Sequence, residues 1–351
     1  MKKIGIAIAA FALILSSASA YNPPVLSENL YALSSTRNLS GQNSVAGGGT
    51  LGCGPDSIVV NPALTAQAQR VSLNAGYTAL ITYDPSDSDY GNAFQGGILI
   101  PFKMFNFSGI VNGVMCPFLK DSLNFKAGLS KEITPKLSVG ANADVGFAWG
   151  AGSDIAIGAG LGFVYDFGPL AFMKDFSVGA SVINLGKYYK NDIPGAKWSS
   201  GVTAWPSLAT LKAGASATFL KNDTIDFGAS IDVTVPSFQN AIFDITPKFA
   251  VKEMLYFTLP FSINCYEMAE AHNGGFSAGI GAFFKFNFSV KNNQYLERNG
   301  WSESEMIASA VYKNLDSSVH AVSANLDINL GMKDKTPPVI KVWPDDEEDD
   351  E

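Results

Sequence analysis

The sequence predicts an all-β fold: a transmembrane antiparallel β-barrel of about fourteen strands, with an N-terminal plug or hatch segment in its lumen. Three observations carry that expectation. The chain opens with an export leader. Apolar and polar residues then alternate in runs long enough to cross a bilayer. The polar face of those runs is built mostly from small residues rather than long charged ones.

The leader comes first. Lys2 and Lys3 precede an apolar run from Ile4 to Leu15, and SSASA follows, ending at Ala20. A positive start, a short apolar middle and small residues at Ala18 and Ala20 have the form of a cleavable signal peptide, residues 1–20, leaving a mature chain that starts at Tyr21. No other segment approaches the ~18 consecutive apolar residues that a spanning helix needs. An exported chain of this kind is soluble or a barrel. Composition leans towards the barrel: 47% of residues are hydrophobic, 34 are glycine and 16% are charged, against ~25% charged in soluble domains.

Residues 21–69 do not alternate. Their GQNSVAGGGTLGCGPDSIVVNPAL stretch is glycine-rich and ends in an Asn-Pro turn signal, which favours tight turns and close backbone packing. A barrel of fourteen strands is wide enough to need filling, so this segment is expected to plug the lumen.

The barrel is expected over residues 70–331. TIDFGASIDVTV, from Thr224 to Val235, shows the pattern: every second residue from Ile225 to Val235 is apolar. Successive side chains of a strand point to opposite faces, so one wall is greasy and the other is small and polar. Reading the recurrences gives strands at Arg70 to Tyr83, Asn92 to Ile100, Met104 to Met115, Ser122 to Ile133, Leu137 to Trp149, Asp154 to Phe167 and Phe176 to Leu185. The series continues at Ala209 to Leu220, Thr224 to Val235, Ala241 to Val251, Leu255 to Cys265, Gly275 to Val290, Met306 to Asn314 and Val319 to Leu330. Such lengths match the ~9 to 11 residues of a tilted membrane strand. Trp149, Tyr83, Phe167 and Phe219 fall near strand ends, where barrels carry aromatic girdles. An even strand number lets both termini lie in the periplasm. Four connections are tight (PFK, TPK, KND and KE), and the longest, Gly186 to Leu208, holds Tyr188, Tyr189, Trp198 and Trp205.

Residues 332–351 form a tail ending in DDEEDDE. The formal charge of −8 becomes −10 once Lys2 and Lys3 leave with the leader, and seven of those charges are the last seven residues. No basic stripe remains to neutralise phosphates, so nucleic acid is not an expected partner. The tail reads as a solvated segment, with docking to a periplasmic protein as the alternative. Cys53, Cys116 and Cys265 are widely spaced and show no metal pattern; they read as incidental thiols.

The order of leader, glycine-rich segment, Asn61-Pro62-Ala63 and alternating strands resembles the long-chain fatty-acid transporter (FadL-like) family of outer-membrane barrels, in particular a branch found in spirochaetes, and related barrels that act as secretion accessories. The resemblance covers roughly residues 34 to 331 and is carried by STRNLSGQNSVAGGGTLGCGPDSIVVNPALTAQ. It implies a hatch blocking the lumen, a hydrophobic external groove here placed at the Gly186 to Leu208 loop, and sideways release through the wall. Two departures stand out: the chain does not end on an aromatic assembly signal, and most loops are short.

The polar face contributes Lys126, Asp144, Lys212, Asp226, Asp232 and Lys248, which either pair along a path and hold the hatch or simply solvate the lumen. Asn61 and Pro62 either gate the pore or shape the turn into the first strand. His272 and His320 are far apart, and Ser277 near His272 lacks a carboxylate partner, so no catalytic constellation is expected. GAGLG, Gly158 to Gly162, lies mid-strand without the helix a nucleotide loop needs; its glycines are expected to make room for the plug. The expectation is a passive channel in the outer membrane for hydrophobic small molecules such as long-chain fatty acids, without cofactor or chemical step. A barrel that holds a protein partner through its tail is the alternative.

Overall fold

A computed structural model describes residues 29–47, 50–82, 89–115, 121–149, 153–187, 209–236, 238, 240–270, 275–291, 293–316 and 319–331. The leader, Tyr83, Cys116, His272, the loop aromatics Tyr188, Tyr189, Trp198 and Trp205, and the tail from residue 332 lie outside the described residues.

The alternating runs form strand segments β1 (Ser72–Thr82), β2 (Asp89–Pro101), β3 (Asn106–Met115), β4 (Asp121–Thr134), β5 (Leu137–Trp149), β6 (Asp154–Leu170), β7 (Met173–Lys187) and β8 (Thr210–Lys221). They continue as β9 (Ile225–Pro236), β10 (Ile242–Val251), β11 (Leu255–Thr258), β12 (Phe261–Asn264), β13 (Phe276–Ser289), β14 (Glu303–Asp316) and β15 (Val319–Asn329). Pairing is antiparallel throughout, and β1 closes the ring on β15. β11 and β12 both lie between β10 and β13 in continuous register, with Lys248 opposite Thr258 and Ile245 opposite Phe261. They are halves of one strand, so the ring has fourteen places. Closure leaves no strand edge, which hydrocarbon would not tolerate.

In β9, Ser230 and Asp232 are buried, whereas Ile225 and Ile231 are 42% and 53% exposed. The same inversion runs round the ring, with Phe125, Leu129, Leu161 and Val322 outward and Asn124, Ser130, Gly160 and Asn325 inward. A water-soluble monomer keeps its apolar patches to a few hundred Å². A continuous apolar exterior around a polar interior is the arrangement of a membrane barrel.

Connections 102–105, 135–136, 171–172, 222–224 and 252–254 are all short and share one end of the ring. The β13–β14 connection at the same end is longer and carries a short helix, Gln294–Arg298, capped by Asn293. The sixth connection corrects the sequence reading, which ended its strand at Phe167. Gly168 takes a positive φ of 71° and bulges, the strand runs on to Leu170, and Ala171 (φ 53°) turns the chain directly into β7. An aromatic belt lies near these turns: Phe172 stacks on Phe219 at 5.9 Å, Phe219 meets Phe227 at 5.7 Å, and Phe227 stacks on Phe249 at 4.9 Å.

Residues 29–47 and 50–69 run inside the ring as short turns: Leu30–Ser34, Thr36–Leu39, Pro55–Val59 and Pro62–Gln67. Leu30, Tyr31, Leu33 and Leu39 form an apolar cluster with Leu80, Val114, Val311 and Ala321 of the wall. Ile58 and Val59 pack on Ile110, and Ala63 and Leu64 on Val164.

Candidate substrate path

The plug has almost no regular structure, so its backbone groups must find partners elsewhere. The wall supplies many of them. Asn142 Nδ2 donates to Ile58 O at 2.8 Å, Ser181 Oγ to Val60 O at 2.7 Å, Ser177 Oγ to Ala46 O at 3.0 Å and Ser108 Oγ to Pro55 O at 3.1 Å. Asn106 Nδ2 lies within hydrogen-bond distance of the carbonyls of Thr65, Ala66 and Ala68, at 2.7 to 3.0 Å. The small polar inner face is thus a surface that reads backbone.

Asn61 is the tightest junction. Its Oδ1 accepts from Ala63 N at 3.0 Å and caps the turn that Pro62 begins. Its Nδ2 reaches Val45 O within the plug at 2.8 Å and Phe163 O of β6 at 3.0 Å. A carboxamide offers acceptor and donors together, which explains asparagine here. Glycines clear the space: a Cβ on Gly140 would meet Pro62 O at 2.5 Å, and one on Gly162 would collide with Asn61 Oδ1. Gly158 and Gly160 instead accommodate Asp144 and Asn142 of the wall, so only the last glycine of GAGLG serves the plug directly.

The six inward charges do not form one site. Lys126 and Asp144 pair at 2.7 Å, and Lys126 also donates to Asn184 Oδ1 at 3.2 Å. Two others hold the plug: Asp232 Oδ1 accepts from Ser44 Oγ at 2.8 Å and Val45 N at 3.2 Å, and Lys248 Nζ donates to Gln42 O at 3.1 Å. Lys212 bonds Thr234 Oγ1 at 3.1 Å and faces the chamber at the end opposite the short turns, while Asp226 faces the chamber near them.

Those chambers, of about 190 Å³ and about 480 Å³, lie on the two sides of the plug. The first, the outer chamber, joins apolar plug residues Leu33, Leu39 and Val45 to Lys212, Lys313, Asp232 and Asp244 of the wall. The second, the inner chamber, includes Cys53, Arg70, Asp226, Tyr256, Lys285 and Glu305. Cys53 and Cys265 are free thiols, and burial pushes the Cys53 thiol up against the pull of nearby Arg37.

Some of the strongest contacts were not singled out from sequence. Arg37 of the plug pairs with Asp327 of β15 at 3.2 Å, both almost fully buried, and Ser35 Oγ donates to Asp56. Asp327 did stand on the polar face of the last run; nothing in the sequence linked it to Arg37. His320 packs on Tyr312, whose hydroxyl lies 2.9 Å from Nδ1, and Ser277 lines the outer chamber.

No protein-family model matches the chain, and no curated protein sequence does. Solved structures share its architecture. The Ralstonia pickettii toluene transporter TbuX superposes with a TM-score of 0.53 at 12% identity, over 83% of this chain and 96% of that one. The CymD monoaromatic hydrocarbon channel gives 0.53 at 10% identity, over 85% and 98%. A Pseudomonas aeruginosa FadL homologue gives 0.47 at 14%, over 83% and 96%. The barrel fold expected from the resemblance to FadL-like proteins is the fold present.

Proposed function

We propose that the protein is an outer-membrane channel for the passive uptake of hydrophobic small molecules, with the N-terminal segment as its movable hatch. The observation that carries the reading is a lipid-facing barrel divided into two chambers by a segment tied to the wall largely through hydrogen bonds. The neutral ones contribute only about 0.5 to 1.5 kcal/mol each, so they can be exchanged for water singly as the segment around Asn61 moves, while the charged Arg37–Asp327 pair holds the segment at Arg37. Barrels of the same fold include a toluene transporter and a monoaromatic hydrocarbon channel, which supports an apolar cargo.

Long-chain fatty acids are the cargo the outer chamber suits best. Its plug side carries Leu33, Leu39, Val45 and Val60 among asparagines, and its wall side offers the ammonium groups of Lys212 and Lys313 beside the carboxylates of Asp232 and Asp244; the apolar side chains would take an alkyl chain and the lysines its anionic head. Transport has no chemical step: the ligand fills the outer chamber, displaces the segment around Asn61 and leaves the lumen. Titration of the purified barrel with oleate, followed by tryptophan fluorescence, tests the reading. Saturable binding that toluene competes away supports it; a folded barrel that binds neither compound refutes it.

A further inference from the structure

Asn184 takes a left-handed backbone, φ 58°, inside a strand, whereas Ala171, Lys252 and Glu253, also at positive φ, lie in turns. Asparagine bears that conformation better than most side chains. The β6–β7 pairing slips at this point: Ala159 faces Leu185 and Leu161 faces Val182, so Ile183 and Asn184 together oppose Gly160. A bulge of this kind re-aims a side chain. Ile183 and Asn184 are consecutive, yet both are buried.

The wall is cleared around the side chain that the bulge turns inward. Lys126 of β4 faces Asp144 of β5, Asp144 faces Gly158 of β6, and Gly158 faces Gly186 of β7. Beyond Asp144, therefore, that row carries no side chain. The Lys126 ammonium lies 2.7 Å from Asp144 Oδ1 and also donates to Asn184 Oδ1 at 3.2 Å. A Cβ on Gly158 would meet Asp144 Oδ1 at 2.7 Å, and one on Gly160 would meet Ile183 Cα at 3.1 Å, so these two glycines leave room for the carboxylate and the bulge. Asp144 Oδ2 accepts from Asn124 Nδ2 at 3.4 Å. Lys126, Asp144 and Asn184 are 4%, 8% and 5% exposed.

An ion pair accounts for Lys126 and Asp144. It does not account for a left-handed bulge that brings a carboxamide to the same ammonium. The three groups are the parts of an acyl transfer: an amine nucleophile, a base within hydrogen-bond reach of it, and a carbonyl carbon that carries a leaving group. A C=O bond is ~1.23 Å long, so Asn184 Cγ lies within about 4.4 Å of Nζ. The broad χ2 well of asparagine lets the face of the carboxamide turn towards the amine.

We propose that Lys126 and Asn184 become joined by a side-chain amide bond, with Asp144 as the base. Asp144 takes a proton from the ammonium, which removes both charges from a site closed to water. The Nζ lone pair then forms a bond to Asn184 Cγ. The Cγ–Nδ2 bond breaks with its electron pair on nitrogen, which receives the proton from Asp144 and departs as ammonia. Asp144 takes the second proton released by Nζ and ends protonated beside the new amide. The ammonium, carboxylate and carboxamide thus become a secondary amide, a carboxylic acid and free ammonia, with atoms and charge in balance. The bond ties β4 to β7 across the irregular β6–β7 ladder. It is a maturation step of the wall and does not rest on the channel reading. The ion pair described here is the chain before the bond forms, and the strength of the pair is a property of that unlinked chain.

Intact-mass spectrometry of the mature chain purified from the membrane tests the bond. The expected species is lighter than the sequence by one ammonia, and trypsin, blocked at Lys126, releases a branched peptide joining residues 121–131 to 175–187. Chain held in urea is expected at full mass, losing the ammonia only after refolding, because folding supplies the alignment. Lys126→Arg keeps a cation and Asn184→Ala removes the carbonyl; both are expected at full mass. Asp144→Asn is expected to link at least about a hundredfold more slowly. A folded, heat-modifiable wild-type barrel that stays at full mass for days at neutral pH overturns the bond. So does a missing ammonia that maps to an Asn-Gly step such as Asn112-Gly113. Linkage of Asp144→Asn at the wild-type rate overturns the part given to Asp144.

Discussion

Lys126 on β4 and Asp144 on β5 sit directly opposite each other, ammonium 2.7 Å from carboxylate, with both side chains almost wholly shielded from water. Removing one partner strands a buried charge. Asp144→Ala should destabilise the barrel by on the order of 3–5 kcal/mol, and Lys126→Met with Asp144→Leu should recover most of that loss. Urea unfolding, followed by heat-modifiable migration, measures both; equal stability of Asp144→Ala and wild type would show that water reaches the pair.

Asn61→Asp keeps the acceptor that caps Ala63 N and loses the donors to Val45 O and Phe163 O. It should loosen the segment without unfolding the ring, giving larger conductance in planar bilayers at unchanged heat-modifiable migration. Conductance equal to wild type would remove Asn61 from the latch.

Gly162→Ala attacks the same junction from the wall, because its Cβ would collide with Asn61 Oδ1. The two changes share one contact, so their effects should not add. An additive double variant would mean that Gly162 and Asn61 act separately.

Cys53 reports on the segment from the inner chamber. Burial raises its pKa, which keeps the thiol protonated at neutral pH, where the reactive thiolate is scarce. Maleimide labelling should be slow at pH 7, climb steadily as pH rises, and be faster at every pH in Asn61→Asp. A labelling rate that levels off at neutral pH would contradict the direction of the shift.

Most of the ring was legible because alternation reports directly which face each residue takes. Asn142, Ser181 and Asp232 could all be placed inward from their rows. Their partners could not, because they bind backbone carbonyls and amides of a segment with no periodicity of its own. Arg37 and Asp327 lie 290 residues apart in the chain, and no local pattern carries that distance. Strand ends were misread where a breaker is absorbed as a bulge, as at Gly168. Pro247 and Pro260 passed within ordinary runs, Ala241 to Val251 and Leu255 to Cys265, because proline interrupts hydrogen bonds without disturbing the side-chain rhythm. Asp144, Asp232 and Lys248 looked alike on the polar face, and only the folded chain separates a pair within the wall from anchors of the plug.

The central claim is that apolar ligands cross this barrel when the N-terminal segment moves. Uptake of radiolabelled oleate by cells bearing the wild-type protein, Asn61→Asp or no barrel tests it most directly, with surface levels matched. The account predicts saturable uptake that depends on the barrel and changes with Asn61→Asp. Uptake indistinguishable from cells lacking the barrel, at verified surface levels and for toluene as well as oleate, would contradict it.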